Sequence, residues 1–266
     1  YGRVVIVQED SRLYGDSLHY DGNKKVGRVR GKLVRLVDKD AELITNYLDF
    51  NTRENSATFY NGGIMTSDDS KFSCRRGIYF SRRKQAIFSG SVAYETPEML
   101  LNTDSLIYYT DQELAQFFGP TRIYNDDNFI YCEKGWYDTK NDNAEFTKNA
   151  LLKNEGQQLT GDSIYYNRIK GLGLAYRNVT IVDTTRNSVV KSDFTKYDEK
   201  NQFSLATGNA LFIQIDEHND SLFLHADTLI GTFDTATRKA KIMYAFHKVK
   251  FYRDDLQGRC DSLVYN

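Results

Sequence analysis

The sequence predicts an all-β protein: an elongated antiparallel β-jellyroll of about eight 30-residue repeats, with two facing sheets around an apolar groove. Three observations point there. The chain repeats itself, each repeat carries period-2 alternation, and the alternating stretches are separated by short turns rich in Asp, Asn and Gly. The composition agrees. Tyr (19) and Phe (16) are abundant and Pro (2) is scarce, which suits paired strands, because Pro cannot donate a ladder hydrogen bond.

The first half of the repeat reads DSLHY at 16–20, NYLDF at 46–50, RGIYF at 76–80, DSLIY at 104–108 and KGWYD at 134–138. DSIYY at 162–166, DFTKY at 193–197, DTLIG at 227–231 and DSLVY at 261–265 continue it. Starts lie 30, 30, 28, 30, 28, 31, 34 and 34 residues apart, so eight units and the start of a ninth fill the chain. The first dozen residues read as the trailing strand of an earlier unit.

The second half is anchored on Gly31, Asn61, Gly90, Gly119, Lys148, Arg177, Gly208 and His247. Two residues before stand Val29, Phe59, Phe88, Phe117, Phe146, Ala175, Ala206 and Ala245. Two after stand Leu33, Gly63, Val92, Thr121, Ala150, Val179, Ala210 and Val249; four after come Arg35, Met65, Tyr94, Ile123, Leu152, Ile181, Phe212 and Phe251. Residues at odd offsets are mixed. This is the signature of strands with one dry face and one wetter face.

Turns such as DGNKK, NTREN and SRRKQ on one side, and DKD, SDD and TPE on the other, carry hairpin chemistry. They imply a meander with two long strands per unit; a β-helix with one coil per repeat is the alternative. Each strand has Gly or Asp-Ser near its middle. Gly tolerates a bend, and Asp-Ser can hydrogen-bond the backbone groups that a bend unpairs. Every strand therefore folds there, giving two sheets joined along a crease. At a strand spacing of about 4.8 Å, eight two-strand units extend roughly 75–80 Å.

These units resemble the OstA-like family, which includes LptA and the periplasmic parts of LptC and LptD. The resemblance rests on LTGDSIYYN at 159–167, AYRNVTIVD at 175–183, ATGNALFIQ at 206–214 and the Ala226-Asp227 pair, repeated over essentially the whole chain. Family patterns have Asp at the positions here assigned to Asn46, Arg76 and Lys134, which leaves the bend geometry there open. The chain reads as one repeat domain, 1–266, divisible into OstA-like modules at about 1–128 and 129–266. The resemblance implies an apolar groove for lipopolysaccharide acyl chains and a periplasmic site of action bridging toward the outer membrane. It also implies no catalysis and no cofactor, and partners gained by strand addition end to end, with other Lpt components or with itself.

The side chains expected to line the groove are Val29, Leu33, Phe59, Met65, Phe88, Val92, Tyr94, Phe117, Ile123, Phe146, Leu152, Val179, Ile181, Phe212, Val249 and Phe251. A closed dry core is the competing reading of the same alternation. One trend bears on both. The residue two before the anchor is bulky early and small late, while the residue four after grows to Phe212 and Phe251.

Other chemistry is sparse. Net charge is −1, so no overall field attracts nucleic acid or an anionic surface. No apolar run approaches the roughly 18 residues of a bilayer span. Tyr1-Gly2-Arg3 followed by VVIV reads as the interior of a mature protein, trimmed of any export signal. Cys74, Cys132 and Cys260 are too few for a disulfide framework. Cys74 and Cys132 share a repeat position two units apart, about 20 Å by strand spacing, and are expected to be buried thiols. The recurring Asp residues lie about 10 Å apart, too far for a catalytic carboxylate pair, and are expected to cap the bends. His225 and His247 are expected to pack on apolar faces. The basic runs Arg75-Arg76 and Arg82-Arg83-Lys84 read as solvated turns or as contacts for lipid phosphates. The rival function is a β-solenoid carbohydrate-active enzyme or a carbohydrate-binding scaffold, which requires converging acidic and basic residues on an outer face.

Overall fold

The computed structural model describes residues 4–8, 11–38, 41–67, 70–125, 128–218, 220–233 and 240–265. Among them are twenty strands and no helix. Contacts divide the chain into two compact units, Tyr1–Asp126 and Asp127–Asn266.

The first unit contains β1 (Val4–Gln8), β2 (Ser11–Gly15), β3 (Ser17–Asp21), β4 (Val26–Asp38), β5 (Ala41–Asn51) and β6 (Ser56–Ser67). It continues with β7 (Ser70–Cys74), β8 (Arg76–Phe80), β9 (Gln85–Glu95), β10 (Met99–Tyr109) and β11 (Leu114–Asn125). The second contains β12 (Asn128–Asp138), β13 (Asn143–Lys153), β14 (Gln157–Asn167), β15 (Leu172–Asp183) and β16 (Ser188–Asp198). Then come β17 (Phe203–Ile215), β18 (Ser221–Phe233), β19 (Ala240–Arg253) and β20 (Leu256–Tyr265).

Pairing in each unit is antiparallel, each long strand with its sequence neighbours. β2 and β3 are two halves of one strand interrupted at Asp16, and both pair with β4; β7 and β8 are likewise interrupted at Arg75. A β-helix would need parallel coils, so the meander is the correct alternative.

Each long strand crosses a crease. Between β15 and β16 the register steps from Tyr176↔Phe194 to Val179↔Ser192, so Arg177 and Asn178 oppose Asp193 alone. Two residues against one is a bulge, and a bulge bends its strand. The bulged residues are left-handed: φ is 63° at Asn61 and 99° at Gly62, 60° and 57° at Lys148 and Asn149, 55° and 53° at Arg177 and Asn178. The bend leaves two leaves that face each other within the unit. Phe72 of β7 and Phe88 of β9 lie on opposite leaves, yet their rings are 4.6 Å apart.

The single residue opposite each bulge fixes the repeat. It is Asp16, Asn46, Arg75, Asp104, Glu133, Asp162, Asp193, Asp227 and Asp261. The expected alignment on Arg76 and Lys134 is therefore one residue late. Arg75 holds the crease with its backbone, donating to Gly90 O (3.0 Å) and accepting from Gly62 N (2.8 Å). With Arg75 and Glu133 in place, the step from Asn46 to Asp162 is a uniform 29 residues.

The crease of β4 is wider. Its register passes from Arg30↔Tyr47 to Val34↔Thr45, so three residues, Gly31, Lys32 and Leu33, oppose Asn46. The extra residue shifts the alternation by one. Leu33, expected inside, is 55% exposed, and Val34 is fully buried in its stead. His247 likewise does not pack on an apolar face; it is an exposed, left-handed crease residue (φ 63°) facing Asp261. His225 is half-buried.

Hairpins close both rims of each unit. On one rim five residues suffice, the first an Asp or Asn in most turns and the last left-handed: Lys25, Asn55, Lys84, Glu113, Asp142, Gly171 and Gln202. Asp21 Oδ1 accepts from Asn23 N and Lys24 N (3.0 and 3.1 Å), and Asn51 Oδ1 does the same for Arg53 N and Glu54 N (2.9 and 3.2 Å). The turns also stack. Thr52 N donates to Lys25 O (3.0 Å), Ser81 N to Asn55 O (2.9 Å) and Thr110 N to Lys84 O (2.9 Å).

Candidate functional site

The interior between the leaves is the candidate site. Its floor follows the crease, where bending frees carbonyls that must find partners. The residue just before the crease position supplies them from inside. Thr45 Oγ1 donates to Gly62 O (2.8 Å), Thr103 Oγ1 to Phe118 O (3.2 Å), and Cys74 Sγ to Arg76 O (3.2 Å). The acid works from outside. Asp16 Oδ2 accepts from Lys32 N (2.8 Å), Glu133 from Asn149 Nδ2 (2.8 Å) and Asp162 from Asn178 Nδ2 (3.0 Å). Capping by the recurring Asp is thus observed, with the Asn of the bulge as its frequent partner.

Burial makes the two thiols poor nucleophiles. It pushes Cys74 up to about 11 and Cys132 up to about 12. Both are buried free thiols, as expected; Cys260, at the same place on β20, is exposed.

The two leaves differ in chemistry. On the leaf that follows the bulge, inward positions are aliphatic or aromatic without hydroxyls in most rungs: Leu101 with Ile123, Leu159 with Ile181, Val190 with Phe212, Leu224 with Phe251. On the other leaf, four residues past the crease position, stand Tyr20, Phe50, Tyr79, Tyr108, Tyr137, Tyr166 and Tyr197. Their strand neighbours are small: Ala86 and Ala115 beside Tyr108, Ala144 and Gly173 beside Tyr166, Gly27 beside Tyr20 and Phe50. The small residues let the rings lie down on the sheet. A Cβ on Gly27 would meet Phe50 Cζ at 2.0 Å, and one on Gly173 would touch both Tyr166 and Tyr197.

The tyrosines sit beside the rim turns. Tyr137 donates to Asp142 Oδ1 (3.0 Å). Burial raises the Tyr108 hydroxyl, with Glu113 adding to it, and raises Tyr166 with help from Glu199.

Of the residues expected to line the interior, Val29, Phe59, Phe88, Val92, Phe117, Ile123, Phe146, Val179, Phe212 and Val249 are buried. Met65, Tyr94, Leu152, Ile181 and Phe251 are half-buried. In the second unit Phe212, Val249 and Phe251 join one cluster with Ala206 and Ala245. There the large side chains of one leaf fill the space above the small ones of the other, which is the volume exchange expected from the sequence. Tyr265 crosses the same gap: its ring lies 6.1 Å from Phe212 and its hydroxyl donates to Gln214 Oε1 (2.8 Å).

Sequence reasoning missed the partner strands. Leu48, Leu106, Ile164 and Leu229 are at most 4% exposed. Their signal was in plain sight, since each stands two residues after the crease position in the motif Asp-Ser-Leu-x-Tyr or its variants.

Residues 1–104 and 98–214 match the family described as OstA-like protein. The chain belongs to the OstA-like family. Among solved structures, LptH from Pseudomonas aeruginosa, titled the LptA homologous periplasmic component of the conserved lipopolysaccharide transport device, is similar at 15% identity. The match covers 40% of this chain and 79% of LptH, with a TM-score of 0.37. No curated protein matches the chain in sequence.

The outer surface of this OstA-like chain holds a second feature. A shallow depression of about 1010 Å³ lies over the crease of the second unit, lined by Glu133, Glu145, Asp162, Arg177 and Asp193 among others. Its carboxylates are occupied by structural partners. Glu145 accepts from Trp136 Nε1 (3.0 Å) and Ser163 Oγ (2.8 Å), and Asp162 pairs with Arg177 (3.6 Å). Among the described residues, no group of three His, Cys, Asp or Glu side chains is placed to hold a metal ion, and no helix is long and apolar enough to cross a membrane.

Proposed function

We propose that the chain is a periplasmic lipid-transport module whose interior shields lipopolysaccharide acyl chains on their way to the outer membrane. The observation that carries this reading is the apolar middle of each interior, away from the rim turns where the buried carboxylates Asp183 and Asp198 lie. Inward rows run there from rung to rung as aliphatic, aromatic and small residues, with hydroxyls and thiols at the floor. Such a lining suits alkyl chains, each buried methylene contributing about 0.8 kcal/mol. Membership of the OstA-like family supports it, since lipopolysaccharide transport is what that resemblance implies. Chemistry on the lipid is not part of the proposal; the carboxylates of the outer depression serve the crease.

In this reading the side chains that now meet across the gap, such as Phe72 and Phe88, separate as the leaves part around a chain. The chain works as two consecutive OstA-like modules, and its edges serve assembly. Among the described residues, β20 pairs with β19 alone and β1 with β2 alone, so each leaves a row of backbone groups open to a further strand.

A photo-crosslinking residue at Phe117 or Ile123 tests the proposal in cells. Adducts with lipopolysaccharide are expected at both positions and not at Leu33, which faces outward. No adduct at Phe117 or Ile123, under conditions where other carriers give one, overturns it.

A further inference from the structure

The net charge of −1 conceals a segregation that the fold creates. In the first unit, the rim turns of the tyrosine leaf are residues 21–25, 51–55 and 80–84, and the bonds from Thr52 N to Lys25 O and from Ser81 N to Asn55 O lay them side by side. Together they present Lys24, Lys25, Arg53, Arg82, Arg83 and Lys84, all exposed, against only Asp21 and Glu54. With two strands per step the turns are about 10 Å apart, so six cations line roughly 20 Å of rim. The turn at 109–113, with Asp111 and Glu113, ends the run. The corresponding turns of the second unit mix signs: Asp138, Lys140 and Asp142, then Arg168 and Lys170, then Asp198, Glu199 and Lys200.

The ridge borders the mouth of the interior. Tyr20 directly precedes its first turn, Phe50 its second and Tyr79 its third; all three continue the inward alternation to the rim, where Phe50 is half-buried and Tyr20 and Tyr79 are exposed. An amphiphile with its tails between the leaves places its headgroup at this rim. We propose that the ridge is a phosphate-binding lip that holds the phosphorylated headgroup of the lipid whose tails occupy the first unit. The proposal rests on the lipid-carrier reading for the tails and adds the headgroup chemistry. Paired cations on a stacked scaffold match phosphates carried on a sugar backbone, whereas an uncharged lipid gains nothing from them.

The test uses the whole chain and a variant with Lys24→Gln, Arg53→Gln, Arg82→Gln and Arg83→Gln. Lys25 and Lys84 are kept because their left-handed φ (58° and 49°) holds the turns. Binding is measured at low salt for lipopolysaccharide, for its phosphatase-treated form and for dioleoylglycerol. The intact chain is expected to prefer the phosphorylated form by about tenfold, several exposed ion pairs each adding a fraction of a decade. The variant is expected to bind both forms alike and to keep its affinity for dioleoylglycerol. Equal binding of the two forms by the intact chain overturns the lip and leaves the carrier reading standing. A control with Lys140→Gln, Lys170→Gln and Lys200→Gln in the second unit is expected to keep the preference; if it loses as much, the effect is general charge and the lip is wrong. Binding to phosphatidylglycerol vesicles that the first variant abolishes, without any preference between the two lipopolysaccharide forms, makes the ridge a membrane patch and also overturns the proposal. If no lipid binds, the carrier reading fails. The ridge is then judged by nuclear magnetic resonance with glucosamine 6-phosphate: shifts at residues 21–25, 51–55 and 80–84 uphold a phosphate site, and their absence removes it.

Discussion

The two units bend their strands in the same place with different residues. In the first unit one of the bulged residues is glycine: φ is 99° at Gly62, 80° at Gly90 and 85° at Gly119, with Asn61 (63°) and Ser91 (54°) left-handed beside the first two. In the second, Lys148-Asn149, Arg177-Asn178 and His247-Lys248 adopt the left-handed region with side chains attached, and only Gly208 follows the first unit's pattern. Left-handed backbone costs a residue with a Cβ about 1–2 kcal/mol, less for Asn. The second unit offsets part of this with clamps: Asn149 to Glu133, Asn178 to Asp162, Asn209 to Asp193. In the first unit the missing Cβ matters for space as well. A Cβ on Gly119 would lie 2.4 Å from Asp104 Oδ2 and 2.8 Å from its Cβ. One acid position thus plays two parts: Asp104 packs against the bare backbone of Gly119, Glu133 and Asp162 anchor an amide, and Asp193 does both.

The largest effect expected from breaking this comparison is at Gly119. Gly119→Ala combines a positive φ with a clash against Asp104, and is expected to lower stability by about 3 kcal/mol. Lys148→Ala, at a bend that already carries a Cβ, is expected to shift it by less than about 0.5 kcal/mol. Urea midpoints with unchanged slope measure both, and equal losses would refute the distinction. Next is the clamp. Asp162→Ala removes the acceptor for Asn178 Nδ2 and the partner of Arg177, both at the surface, and is expected to cost about 1 kcal/mol. A double-mutant cycle with Asn178→Ala should recover most of that as coupling; zero coupling means the acid is not a clamp. Smaller and opposite in sign is Lys148→Gly, expected to stabilise by about 0.5 kcal/mol, the relief of left-handed strain exceeding the extra freedom glycine gives the unfolded chain.

The meander, the crease and the inward rows were legible because they rest on period and turn chemistry, which are local. Val29, Phe59, Phe88 and Phe117 fell where the alternation put them. What failed was phase. Nothing in GKLV at 31–34 says that three residues oppose Asn46, so Leu33 and Val34 exchanged places. The alignment slipped by one at Arg76 and Lys134 for a related reason: Gly77 and Gly135, two past the crease, were read as one past it. The tyrosine wall is spelled by the last residue of the motif, but its meaning depends on small residues in the neighbouring strands, such as Ala86 and Gly173. The basic ridge needed the turns to be stacked before scattered lysines and arginines became a row.

The smallest predicted effect separates the rims of the other leaf. Six residues past the bend anchor, the second unit has Asp183 at β15 and the first has Asn125 at β11. Burial alone would raise the Asp183 carboxyl. Thr185 Oγ1 (2.6 Å), Gln157 Nε2 (3.1 Å) and the amides of Thr185 and Arg186 (3.0 Å each) hold it below the usual value instead. Asn125 Oδ1, by contrast, is buried with no hydrogen-bond partner among the described residues. A carboxyl lowered by folding stabilises the native state above its unfolded value of about 3.9, and that stabilisation is lost as pH falls through the lower folded value. Asp183→Asn is therefore expected to reduce stability at pH 7 and to flatten its decline on acidification below about pH 4. Urea midpoints across that range decide it. A variant whose acid sensitivity matches the parent's would show that the Asp183 carboxyl binds protons alike in the folded and unfolded states and that its hydrogen bonds serve only the turn.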